Sequence, residues 1–122
     1  MPHYMDWWDL EWAVSPSQGQ LGTRLKSRTG WAGNGNGTDD FGFSALPGGA
    51  CGPILGRNNV CDGDDGYWWS AEEYEDRDGK DTNYAINKEI RANGRYMLNN
   101  QQLKTDMYMF SVRCVQNKAG WE

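Results

Sequence analysis

The apolar residues in the second half of the chain occur in short runs that alternate with polar residues. In residues 110–115, FSVRCV, one side of the run consists of Phe110, Val112 and Cys114. Other short runs are YWWSAEEY, TNYAINKEI and GRYMLNN, separated by polar turns. Alternation of this kind is typical of half-buried strands. Together with FGFSALPGG and MYMFSVRCV, these runs predict a small antiparallel sheet in an α+β fold.

One segment, DWWDLEWAV at residues 6–14, has the spacing of a helix instead. Trp7, Leu10 and Val14 recur at intervals of three and four residues and form a stripe that would face the core. A second apolar stripe, on another face, consists of Met5, Trp8 and Trp12. A helix that is apolar on two faces is either sandwiched within a core or lacks a covering partner. The second stripe therefore packs on the chain's own loops or contacts another chain.

Composition narrows the class of protein. The chain has 122 residues, which suits one domain over residues 1–122, and its seven tryptophans supply much of the core. Leu25 and Trp31 are expected to point inward from the loops. The formal net charge of −5 argues against nonspecific binding to nucleic acid. No apolar run is long enough for a transmembrane helix, so no membrane span is predicted.

The three cysteines leave one thiol over when two of them pair. Cys51 and Cys61 enclose CGPILGRNNVC, a loop rich in glycine, proline and asparagine. A disulfide between them would suit an oxidising compartment and contribute about 2–3 kcal/mol by restricting the unfolded chain. The alternatives are two unpaired thiols in a reducing compartment, or a bond from Cys51 to Cys114. With the first pairing, Cys114 is the cysteine left over.

The segment CDGDDG predicts an acidic turn with the carboxylates of Asp62, Asp64 and Asp65. Carboxylate oxygens in a tight glycine-containing turn are suitable ligands for Ca²⁺, although the spacing is not that of an EF-hand loop. The alternative is a solvated turn, and no other cofactor is expected. The only histidine, His3, lies near the first residue of the chain, so no Ser-His-Asp or Cys-His arrangement is predicted. We therefore expect no enzyme.

Four segments occur in a fixed order: DWWDLEWAV, LKSRTGWAGNGNGTDDFGFSALPGG, GYWWSAEEY and FSVRCV. Together they resemble the Fibrobacter succinogenes major paralogous domain family, and the resemblance covers nearly the whole chain. It implies a C-type-lectin-like fold, with a short helix, a small twisted antiparallel sheet and long loops. It also implies a secreted or bacterial cell-surface protein.

The resemblance has a consequence for Cys114. In the family, a cysteine upstream of the helix is expected to pair with the one in the last strand, and this chain begins after that segment. Cys114 is therefore expected to lack its usual partner. Either this is a shortened piece, or another chain supplies the missing segment, or the fold is minimised. The stripe of Met5, Trp8 and Trp12 would then be the partner interface.

C-type-lectin-like folds display variable side chains from their late strands and loops, here residues 74–108. This stretch is rich in tyrosine, which offers rigid flat area, and asparagine, which adapts its hydrogen bonds to many partners. The expected ligand-binding residues are Trp69, Tyr74, Asn83, Tyr84, Asn87, Arg95 and Tyr96. The prediction is a non-catalytic extracellular module that binds a glycan or surface polymer. The alternative is a protein-interaction, assembly or diversified receptor-binding module that another chain completes. For the polar residues, an ordinary solvated strand face is the further alternative.

Overall fold

The computed structural model describes residues 1–15, 19–52, 60–75, 77–104 and 108–116, with the backbone alone at 60–62, 73–75, 81 and 82. Two helices come first, α1 (Tyr4–Val14) and α2 (Leu21–Leu25). Five strands follow: β1 (Ala50–Gly52), β2 (Val60–Asp62), β3 (Gly66–Glu75), β4 (Asp81–Ile90) and β5 (Met97–Leu103). The α+β class and the antiparallel sheet are confirmed.

The strands form two antiparallel sheets that the C-terminal segment joins. One sheet contains β1 and β2, and the other has the order β3-β4-β5. Met109 pairs with Cys51 of β1 in antiparallel fashion, and Ser111 pairs with Trp68 of β3 in parallel fashion. Because residues 109 and 111 pair with different strands, the segment forms two isolated bridges and no regular strand. The strand predicted over MYMFSVRCV is therefore wrong as a continuous element among the described residues.

The strand predicted over FGFSALPGG is also wrong. Gly42 and Ser44 have left-handed backbone, with φ of 72° and 53°, which interrupts an extended run. Asp39 holds this turn, because its carboxylate accepts hydrogen bonds from the Ser44 backbone N–H at 2.7 Å and the Ser44 hydroxyl at 2.6 Å. Ala45 alone is bridged, to Lys26.

The core lies between α1, α2, the loop after α2 and one face of the three-stranded sheet. The first stripe of α1 faces it as predicted, with Trp7 and Val14 buried and Leu10 packed alongside. Leu25 and Trp31 are also buried, so their predicted inward orientation is confirmed. The remaining buried members of the cluster are Leu21, Ala45, Trp68 and Ile90.

The glycine-rich loop after α2 is fixed by close backbone contacts. A Cβ at Gly35 would collide with the carbonyl oxygen of Ala92, and one at Gly37 would collide with that of Thr23. Lys26 crosses the same region and donates from Nζ to the carbonyls of Ala92 (3.1 Å) and Gly94 (2.8 Å). The glycines of this loop are therefore needed for close approach of backbones as well as for turns.

Candidate functional site

The outer edge of the three-stranded sheet carries a run of amide side chains. β5 pairs with β4 along one side, and no strand among the described residues pairs with its other side. Its central residues are Asn99, Asn100 and Gln101, which we call the amide edge. Planar amides carry two donors and an acceptor, so this edge offers dense hydrogen-bonding capacity toward solvent.

Beside the amide edge, α1 presents three aromatic rings in a line. Tyr4, Trp8 and Trp12 recur every four residues, so they lie on one face of the helix. The ring centroids are 6.3 Å apart between the first two and 5.8 Å apart between the last two. Their exposed fractions are 36%, 38% and 44%, which leaves each ring partly open to solvent. We call these three residues the ring row.

The ring row and the amide edge meet at an open hollow of about 450 Å³. It is lined by Tyr4 from the helix, Ile86 from β4, and the three residues of the amide edge. The lining therefore combines an aromatic ring with residues of the amide-rich strand β5.

A buried ion pair fixes the helix and the sheet relative to each other. Lys88 of β4 donates from Nζ to Glu11 Oε1 of α1 at 2.6 Å, and both side chains are almost fully buried. The same Nζ donates to Asn99 Oδ1 and lies 5.4 Å from the centroid of the Tyr4 ring. One ammonium group therefore positions both an amide and a ring of the hollow, which lowers the entropic cost of binding there.

The other two amides differ in how they are held. Asn100 donates from Nδ2 to Glu89 Oε2 at 3.3 Å, on the opposite face of the sheet. Gln101 is exposed, and no hydrogen bond constrains its side chain among the described residues. The hollow thus combines one fixed amide, that of Asn99, with one adaptable amide, that of Gln101.

The start of α1 is anchored on β3, which sets the position of Tyr4. Glu72 accepts a short hydrogen bond from the Tyr4 backbone N–H, one from the Ser70 hydroxyl at 2.8 Å, and one from His3 Nδ1 at 3.1 Å. A carboxylate at a helix N-terminus also interacts favourably with the helix dipole. His3, the only histidine, therefore belongs to this anchor.

The residues predicted from the late strands do not converge on one site. Trp69 and Asn87 are directly opposite in the β3–β4 ladder, but Asn87 is fully buried, and its Oδ1 has no hydrogen-bond partner among the described residues. Tyr84 is half-buried in the same strand as Asn87, three residues earlier. Because side chains alternate along a strand, Tyr84 and Asn87 point to opposite faces of the sheet.

The other predicted binding residues lie at separate places. Asn83 is exposed, with φ of 65°, and Tyr96 is 51% exposed with the Arg95 guanidinium 5.6 Å from its ring centroid. The side chain of Tyr74 lies outside the described part of the chain. Trp69 lines a second hollow, of about 340 Å³, together with Tyr108 and Glu72 among others. The predicted set is therefore spread over several surfaces.

The acidic turn is engaged in backbone contacts. Asp65 accepts a hydrogen bond from the Ala92 backbone N–H at 2.7 Å, and its carbonyl accepts one from Gly49 at 2.9 Å. Asp64 is exposed, and the side chain of Asp62 is not described. Within the described residues, no three acidic, histidine or cysteine side chains are grouped as a metal site. Calcium binding by this turn stays a prediction.

The register of β1 and β2 bears on the cysteines. Cys51 and Cys61 are directly opposite. Cys51 uses both its backbone groups on Met109, so toward Cys61 it occupies a non-hydrogen-bonded position. Side chains are closest at such positions, with Cα atoms about 4.5 Å apart, a distance that a disulfide can span. The predicted bond is compatible with this register, and Cys114 is a free, exposed thiol.

The stripe predicted as a partner interface is accessible. Met5 is 60% exposed, and Trp8 and Trp12 belong to the ring row. The sequence reasoning missed Tyr4, Asn99, Asn100 and Gln101 as a group. The signal for the ring was its spacing of four from Trp8, and the signal for the amides was the run NNQQ in a predicted late strand.

Residues 1–116 match the family model of the Fibrobacter succinogenes major domain, so the chain belongs to that family. The resemblance drawn from the four segments is thereby confirmed. No curated protein and no solved structure matches the chain. Neither described helix has the length and apolar character needed to cross a membrane.

Proposed function

We propose that this chain is a non-catalytic module that binds carbohydrate at the hollow between the ring row and the amide edge. The observation that carries the proposal is the placement of Tyr4, Asn99 and Gln101 around one open hollow. This moves the ligand site from the residues predicted in the late strands to the outer edge of β5 and the facing side of α1.

The chemistry of the hollow suits a sugar. A pyranose ring has a face of C–H groups, which packs on the negatively polarised face of an aromatic ring, and a rim of hydroxyl groups. Each hydroxyl both donates and accepts, as a planar amide does, so neighbouring hydroxyls pair with amides. Lys88 holds the Asn99 amide in place before a ligand arrives.

The test is a glycan and polysaccharide array, probed with the purified chain and with two glutamine variants of β5. Gln101→Ala removes the adaptable amide of the hollow, and we expect about a tenfold loss of affinity. Gln102→Ala is the matched control, since it changes the next residue of the strand, on the opposite face. Equal binding by wild type and Gln101→Ala would contradict the proposal.

Two further arms of the array test the other predictions. Loss of binding in the Tyr84→Ala, Tyr96→Ala double variant, with Gln101→Ala unaffected, would place the site at Tyr84 and Tyr96 instead. Loss of binding with a chelator would implicate Ca²⁺ at the acidic turn. Release of shorter sugars from a bound polysaccharide would contradict the non-catalytic assignment.

We also propose a C-type-lectin-like topology and an extracellular or cell-surface location. Both proposals are supported by membership of the family, and the location also by the facing positions of Cys51 and Cys61. An experimental structure tests the topology. Disulfide mapping of the protein isolated from its source cells tests the location, and recovery of both Cys51 and Cys61 as reduced thiols would count against it.

A second candidate function, a protein-assembly module that another chain completes, is favoured by the exposed apolar residues of α1. Met5, Trp8 and Trp12 are accessible, and Cys114 is a free thiol on the surface. Light scattering over a range of concentrations tests self-association. A monomer at every concentration, with no mixed disulfide formed at Cys114, would argue against this candidate.

A further inference from the structure

We infer that the ring row extends the proposed site into a track for a single, uncharged polysaccharide strand. This inference rests on the proposed function, and it specifies the ligand as a polymer several sugars long. It uses Trp8 and Trp12, which lie outside the hollow itself.

The length of the ring row is the first argument. Residues 4 and 12 are eight positions apart, so the row extends about 12 Å along the helix axis. Its rings are spaced by 6.3 and 5.8 Å, and each step is comparable in size to one pyranose ring. A single sugar in the hollow would contact Tyr4 and leave Trp12 uncovered. A strand of several sugars would cover all three rings.

The tilt of the rings is the second argument. The ring planes turn by 34° between Tyr4 and Trp8 and by 54° between Trp8 and Trp12. A flat crystalline surface can stack only on coplanar rings. A single strand can rotate about its glycosidic bonds and follow the turn. The geometry therefore favours a soluble strand over a crystalline face.

Charge is the third argument. The chain carries a formal net charge of −5, and Asp9 is exposed on α1 between Trp8 and Trp12. Asp9 is one residue after Trp8 and three before Trp12, so it borders the ring row. A polysaccharide bearing carboxylates or sulfates would be repelled there, whereas the hydroxyls of a neutral strand would donate to this carboxylate.

The experiment measures affinity by calorimetry for oligosaccharides of two to six units prepared from cellulose, chitin, xylan and mannan. Two neutral soluble polymers, hydroxyethyl cellulose and glycol chitin, and the crystalline forms of cellulose and chitin are included. We expect affinity to rise by about tenfold from the shortest to the longest member of the series that binds. Trp12→Ala should remove most of that rise and leave binding of the shortest member unchanged.

Controls distinguish the loss of a contact between ring and sugar from the loss of the folded structure. Phe41→Ala removes another aromatic ring, 58% exposed and outside the ring row, and should leave the length dependence intact. Far-UV circular dichroism and thermal midpoints verify that each variant is folded.

The outcomes distinguish the inference from the function on which it rests. Binding that is independent of length and of Trp12 would overturn the track and leave the carbohydrate site. Stronger binding to crystalline than to soluble polymer would overturn the single-strand assignment. No binding to any probe would overturn the neutral track, and a blank array as well would overturn the carbohydrate site. Concentration-dependent dimerisation that Trp12→Ala abolishes, without an effect on any sugar, would make the ring row an interface between two copies.

Discussion

Two lysines are buried in different regions of this protein, and their ammonium groups are stabilised by different partners. Lys88, in the central strand β4 of the sheet, is paired with the carboxylate of Glu11. Lys26, directly after α2, donates to the carbonyls of Ala92 and Gly94. Its Nζ lies 4.7 Å from the centroid of the Trp31 ring. The Lys88 ammonium is therefore hydrogen-bonded to a carboxylate, and the Lys26 ammonium to carbonyl dipoles.

The difference appears in the electrostatics of Lys26. Burial lowers the pKa of this lysine, and the negative charge of Asp65 offsets part of the effect. Carbonyl dipoles satisfy the hydrogen bonds of an ammonium group without supplying a counter-charge, so desolvation remains the larger effect. A buried lysine therefore serves two purposes here. Lys26 ties backbone segments together, and Lys88 ties a helix to a strand and orients the candidate site.

The largest effect is expected at Glu11. Glu11→Ala leaves the Lys88 ammonium buried without its carboxylate, which should lower the free energy of unfolding by about 3–5 kcal/mol. Urea unfolding monitored by tryptophan fluorescence measures this quantity. The Glu11→Leu, Lys88→Met double variant should recover most of the stability, because no unpaired charge remains.

The same two variants test whether Lys88 also positions the candidate binding site. In the double variant Asn99 loses its ammonium partner, so carbohydrate affinity should stay low although the protein is stable again. Recovery of both stability and binding would mean that the ion pair does not position the site. An unchanged free energy of unfolding in Glu11→Ala would contradict the importance of the pair altogether.

An intermediate effect is expected at Lys26. Lys26→Met leaves the carbonyls of Ala92 and Gly94 without this donor, and we expect a loss of about 2 kcal/mol at neutral pH. Carbohydrate binding should be unaffected, since Lys26 lies outside the candidate site.

The pH dependence of that difference follows from the lowered pKa of Lys26. Between this pKa and the ordinary value of 10.5, the unfolded chain binds more protons than the folded chain. The stability of the wild type should therefore rise with pH through that interval, relative to Lys26→Met. Parallel curves for the two proteins, measured by denaturant unfolding at a series of alkaline pH values, would show that Lys26 is not desolvated.

The smallest effect is expected at Asp39, in the exposed loop. Hydrogen bonds from the hydroxyl and the backbone N–H of Ser44 hold the pKa of Asp39 below its usual value of 3.8. A lowered carboxyl pKa contributes stability above the ordinary value and loses it as the pH falls through the lowered one. Asp39→Asn should therefore be slightly less stable at neutral pH, and the difference should vanish in acid. A difference that persists in acid, measured by thermal unfolding, would refute this assignment.

Several structural predictions depended on local pattern and succeeded. The spacing of Trp7, Leu10 and Val14 predicted the buried face of α1, and the apolar runs predicted β3, β4 and β5. The segment FGFSALPGG failed because its apolar residues suggested a strand, whereas a hydrogen bond from Ser44 to Asp39 imposes a turn there. Hydrophobic patterning reports which residues are buried, and it does not report a side chain's hydrogen bond to a backbone group five residues away.

The candidate site was less predictable than the fold. The tyrosine and asparagine content of the late strands predicted a binding surface, but alternation across a strand separates Tyr84 from Asn87, and burial removes Asn87 from solvent. The amide edge lies within NNQQ, a run of four amides that is visible in the sequence. The proximity of these amides to Tyr4 could not be predicted from the sequence, because Tyr4 and Asn99 are far apart along the chain.

By itself, the sequence determined the family, the α+β class, the helix with its buried stripe, and the short strands. These depend on spacing and composition, which are properties of neighbouring residues. Only the tertiary structure decided which rings stay exposed, which amide is held, and that Tyr4 of α1 shares a hollow with β5. The reason is the Glu11–Lys88 contact, a buried ion pair between residues 77 positions apart, which holds α1 against the sheet.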